Sequence, residues 1–102
     1  MLSYTKIVKY LDWDEEKDLL LKVERGISFG DVVNAISENR LLDILRHPSR
    51  SRYRHQMILV VEIALYAYLV PFVEDEEKIF LKTIIPSRKA TKKYIISQDK
   101  KK

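Results

Sequence analysis

The sequence predicts an α+β fold: a small antiparallel sheet packed against two N-terminal helices, with a basic helix closing the chain. Three observations predict it. Two helical stretches, each opened by a capping residue, fall between Asp12 and Arg40. Runs rich in β-branched and aromatic residues then follow from Leu41 to Ile85, separated by short polar turns. Strands in that hairpin order pair antiparallel, and helices placed ahead of them cover one face. Finally, Pro86 stops the last strand and Ser87 opens a stretch dominated by lysine.

The elements are read in order as follows. Lys6 to Leu11 is a short first strand. Asp12, with Glu15 three residues on, is placed to cap a helix from about Trp13 to Glu24. Leu19, Leu20 and Val23 supply its apolar stripe, and Trp13 packs at its entrance. Gly26 stops it, because glycine accepts the left-handed conformation that ends helices. Ser28 caps a second helix with Asp31 at its third position. Phe29, Val32, Val33 and Ile36 then form one face suited to a core. Leu41 to Leu45 is a strand, and His47 to His55 a polar, basic loop. Met57 to Ile63 and Tyr66 to Glu74 are strands, although the join through Ala64 and Leu65 lacks the Gly or Asn a tight hairpin prefers. Pro71 implies an edge position or a bulge. Asp75-Glu-Glu77 is a charged turn before a last strand, Ile79 to Ile85. The basic helix runs from Arg88 to about Ser97, with residues 98–102 a frayed tail.

One chain of 102 residues, 46% apolar and 33% charged, is expected to form a single domain, 1–102. The chain contains no cysteine, which excludes disulfides and thiolate metal sites. No signal peptide or membrane span is read, so a cytoplasmic address is the expectation. The formal charge is +4, but unevenly spread. Asp12 to Asp31 is acidic, whereas Arg46, Arg50, Arg52 and Arg54 crowd one short segment without an acid. Arg88, Lys89, Lys92 and Lys93 follow near the C-terminus. Basic segments of this kind point to a polyanion or an acidic protein.

Some residues also carry a resemblance. Trp13-Asp-x-x-Lys17, followed by Arg25-Gly-Ile-Ser-Phe29, is similar to the opening of BrnT-type toxins of the RelE-like superfamily. Ile85-Pro-Ser-Arg-Lys-Ala-Thr-Lys-Lys-Tyr94 resembles their closing strand, Ser–Arg and basic helix. Leu21 and Arg25 stand where the family often has Asn and His. The resemblance implies a RelE-like fold and the toxin of a type II toxin–antitoxin pair, an endoribonuclease that cuts mRNA and blocks translation. It implies a cognate antitoxin with a ribbon–helix–helix DNA-binding domain, through which alone promoter DNA is bound.

Cleavage by the RNA's own 2′-hydroxyl needs a base, cations for the phosphate and an acid for the leaving oxygen. The catalytic candidates are Arg88, Ser87, His55 and Arg52. His55 is the natural acid–base group, because imidazole titrates near neutrality. The RNA-binding candidates are Arg50, Arg54, Lys89, Lys92, Lys93, Lys17 and Tyr94, the last by stacking on a base. Each also has a plain reading as a solvated surface group, or for Tyr94 as a packed aromatic. No metal-ligand spacing is visible, and no cofactor is expected; the acids of the first helix complement its dipole. The alternative function is a non-catalytic RNA- or protein-binding module on the same scaffold.

Overall fold

Met57 to Val61 is apolar at five consecutive positions, which suits a strand covered on both sides rather than one. The computed structural model, which describes residues 9–46 and 56–97, shows that arrangement. The elements are β1 (Tyr10–Asp12), α1 (Glu15–Arg25), α2 (Phe29–Ser37), β2 (Leu41–Arg46), β3 (Gln56–Ile63), β4 (Tyr66–Glu74), β5 (Lys78–Leu81) and β6 (Ile85–Pro86). A final helix, α3, begins at Arg88–Ala90 and widens into a π-helical stretch, Thr91–Ile96. The sheet order is β1-β5-β4-β3-β2, with β6 paired to β4. Leu59 and Val61 of β3, with Val70 and Phe72 of β4, face Leu21, Ile27, Phe29, Val32 and Ala35 of the α1–α2 region. Val60 and Ala67 face the other way, against Ala90, Tyr94 and Ile95 of α3. The sheet is therefore sandwiched, with the two N-terminal helices on one face and the basic helix on the other. The expected first-strand residues 6–8, the loop 47–55 and the tail 98–102 lie outside the described residues.

The α+β class holds, but the sheet is mixed rather than wholly antiparallel. β1 lies parallel to β5, Tyr10 opposite Lys78 and Asp12 opposite Phe80. Only β2 through β5 follow the hairpin order. The strand expected from Ile79 to Ile85 is broken in two. β5 pairs with the far half of β4, Phe72 opposite Leu81, and β6 with the near half, Leu69 opposite Ile85. Pro71 lies at that gap. It is neither on an edge nor in a bulge, since β4 is central and Pro71 pairs in register with Ile58. Its carbonyl accepts from Lys82 N at 2.8 Å, so its missing N–H falls on the side where the neighbouring chain has left the ladder.

Capping was partly legible. Ser28 and Asp31 form a reciprocal capping box, and Gly26 ends α1 at φ +67°. The cap of α1 is Asp14, not Asp12; Asp14 accepts from Glu16 N at 3.0 Å, while Asp12 pairs with Lys78. The apolar stripe of α1 was also misplaced. Leu19 and Val23 are 62% and 78% exposed, and the helix buries Leu21 and Asp18 instead. The reason is a side-chain link. Asp18 Oδ1 accepts from Phe29 N at 2.8 Å at the first turn of α2, and Lys22 neutralises the same carboxylate. Just ahead of α1, Trp13 stacks on the same Phe29, ring centroids 5.5 Å apart.

Candidate nucleic-acid interface

Ser87 is the hinge between sheet and basic helix. Its N–H donates to Ala67 O, and its hydroxyl oxygen accepts from Ala90 N at 3.0 Å, capping α3 as its residue type favours. Thr91, one turn on, is buried and bonded twice. Its hydroxyl accepts from Ala67 N and donates to Ser87 O, both at 2.8 Å. Ser87 and Thr91 thereby continue the β4 ladder after β6 has ended. Tyr94 fixes the next turn: its hydroxyl donates to Asp43 on β2 at 2.6 Å. This bond holds the Asp43 carboxyl below its usual range and pushes the Tyr94 phenol up.

Between α3 and the sheet runs a cleft of about 380 Å³. Leu45, Ile58, Leu69 and Ala90 supply apolar lining, and Ser87 and Tyr94 contribute from the helix side. Three cationic residues line it as well: Lys89 and Lys93 from successive turns of α3, and Arg46 from the end of β2. The last of these belongs to the basic segment read from the sequence but is not among the site candidates. The signal that could have found it is that it opens the arginine-rich run. Lys93 Nζ also sits 5.2 Å from the Tyr94 ring centroid.

The other candidates are placed as follows. Arg88 is exposed on α3 and does not line the cleft, and neither does Lys92. Lys17 belongs to α1, on the opposite face of the sheet. Arg50, Arg52, Arg54 and His55 lie outside the described residues, as do His47 and Tyr53. The described chain stops at Arg46, on the wall of the cleft, and resumes at Gln56, two residues before Ile58 of its lining. Thus Ser87, Lys89, Lys93 and Tyr94 come together, while Lys17, Lys92 and Arg88 stand apart from them.

A larger cavity, about 670 Å³, lies on the α1–α2 face among Leu11, Ile36, Met57, Leu59 and Phe72. Its lining lysine, Lys9, is paired with Glu74. An apolar cavity whose cation is already neutralised does not suit a polyanion, so size alone does not select the site here. Among the described residues, no three potential metal-ligating side chains converge, and no helix is long and apolar enough to cross a membrane. Searches against protein-family models, curated proteins and solved structures found no match to this chain.

Proposed function

We propose that the α3–β2 cleft binds RNA and that the protein is an endoribonuclease toxin with a RelE-like fold. The observation that supports this reading is the convergence of Arg46, Lys89 and Lys93 on one cleft at the root of the arginine-rich segment. Cations gathered over a concave surface attract phosphates, and counterion release makes such binding strong and salt-sensitive. Ser87 retains a hydroxyl proton to offer a phosphate oxygen, since its oxygen already accepts from Ala90. In this reading His55 takes the 2′-hydroxyl proton or protonates the leaving oxygen. Arg52 steadies the phosphate beside Lys89 and Lys93, Arg50 and Arg54 hold flanking phosphates, and no metal takes part; Arg88, Lys92 and Lys17 stand apart from the cleft and take no role in it. The substrate is mRNA. The neutralising partner is an antitoxin with a ribbon–helix–helix domain, in whose company the protein reaches promoter DNA.

A second reading, a non-catalytic RNA-binding module, is favoured by one observation. Among the described residues lining the cleft there are cations and hydroxyls but no carboxylate or imidazole. A single experiment separates the two. The chain is incubated with long RNA in EDTA, and cleavage and binding are read in parallel across a salt series. Cleavage that needs no added metal, with binding that falls steeply in salt and weakens about tenfold in Lys89→Ala/Lys93→Ala, is the expected result. Binding without cleavage selects the module, and absence of binding at low salt removes both.

A further inference from the structure

Lys89, in the first turn of α3, and Lys93, in its π-helical stretch, are four residues apart and both line the cleft. Two cations on neighbouring turns can each meet one phosphate of a nucleic-acid strand. Between them and the sheet lies not a polar surface but the apolar lining of Leu45, Ile58 and Leu69. The cavity, about 380 Å³, is at the small end of ligand pockets, which run from ~300 to 1,000 Å³. A recess of that volume accommodates one base. The Tyr94 ring beside it is held by the bond to Asp43, so that wall is set before any ligand arrives.

We infer that the cleft is a single-nucleotide pocket for single-stranded RNA, with consecutive phosphates on Lys89 and Lys93 and the intervening base turned in against Leu45, Ile58 and Leu69. The inference rests on the RNA-binding reading above and adds the strandedness of the ligand and the fate of one base. A duplex is excluded from this mode. Its bases are stacked and paired inside a rigid A-form helix, and it presents the cleft with phosphates alone. An unpaired strand can splay a base into an apolar recess, and aromatic side chains reward it for doing so. The Asp43 carboxylate, bonded to the Tyr94 hydroxyl, also accepts from Ile44 N. It therefore fixes the wall of the pocket and leaves the phosphates to the lysines.

The test uses 2′-O-methyl dodecamers, which cannot be cut by their own 2′-oxygen, so binding is read apart from cleavage. Fluorescence polarisation compares a single strand, the duplex of the same sequence, and a single strand with its central nucleotides abasic. The expected result is at least tenfold tighter binding of the intact single strand than of either competitor. Ile58→Trp, which fills the recess, should abolish that preference while leaving the salt slope unchanged. Lys89→Ala and Lys93→Ala should each lower the slope by about one. Equal affinity for all three ligands overturns the pocket and leaves general RNA binding intact. No binding to any of them overturns the RNA reading itself. If Ile58→Trp loses the parent's circular dichroism, the ratio of intact to abasic affinity on the unsubstituted chain decides the matter.

Discussion

Replacing Thr91 with valine tests how α3 is attached to the sheet. Ala67 is fully buried, and its N–H has the Thr91 hydroxyl as its partner, at 2.8 Å. Valine has nearly the same shape but no acceptor. An unpartnered buried N–H costs about 1–3 kcal/mol, and the methyl that replaces the hydroxyl returns less than ~1 kcal/mol. The net loss is then about 1–2 kcal/mol. For a domain of this size that corresponds to a fall in Tm of roughly 5–15 °C. Urea denaturation gives the free energy, and amide hydrogen exchange locates it: the Ala67 N–H should lose protection selectively. Thr91→Ser, which trades a methyl for smaller size but keeps the hydroxyl, should retain that protection. The reasoning is refuted if Thr91→Val unfolds within about 0.3 kcal/mol of the parent with Ala67 still protected. The consequence for function is direct, because the same hydroxyl holds Ser87 and therefore the turn that carries Lys89.

Three further outcomes are expected. Asp18→Ala leaves the buried Phe29 N–H without an acceptor and should cost about 1–3 kcal/mol, whereas Asp18→Asn, which keeps an acceptor oxygen, should lose less than half of that in the same urea titration; equal losses would mean the link is not the hydrogen bond. The Tyr94–Asp43 bond predicts pH limbs at both extremes. The Asp43 carboxyl is depressed below 3.8 in the fold, so its contribution exists above that pH and disappears as pH falls through the folded value. The Tyr94 phenol is raised above 10.0, so its contribution exists below that pH and disappears as pH rises through the folded value. Subtracting the stability profile of Tyr94→Phe from that of the parent should reveal both limbs, and a flat difference would contradict the bond. At the β3–β4 turn, Ala64 and Leu65 have φ of +54° and +65°, a conformation that costs side-chain-bearing residues. Ala64→Asn with Leu65→Gly should therefore stabilise the fold by about 1–2 kcal/mol in thermal melts, and a lower Tm would count against strain there.

That turn shows where sequence reading loses its grip. Asn-Gly would have announced the hairpin; Ala-Leu does not, and the eight-residue register of β3 on β4 imposes the turn on residues that resist it. The candidate site divides along the same line. Ser87 as a cap, and the basic helix after it, follow from local chemistry and could be named from Pro86-Ser-Arg-Lys89 alone. Which of its cations share the cleft could not be read, because the π-helical widening after Ala90 and the anchors at Thr91 and Tyr94 set the rotation of the helix. Lys89 and Lys93 are thereby brought to Arg46, and Arg88 is left outside.

By itself the chain's chemistry determined the α+β class, the capping box of Ser28 and Asp31, the stop at Gly26 and the two long central strands. These depend on contacts within a few residues, where side-chain type and spacing suffice. Tertiary structure decided the parallel partner of β1, the burial of Asp18 in preference to Leu19 and Val23, and the break in the ladder opposite Pro71. It also decided that α3 lies across the sheet from α1 and α2. Each of those depends on a bond or contact between residues distant in sequence, or on backbone groups that must find partners once buried. Local pattern has no access to such pairings until the chain has closed on itself.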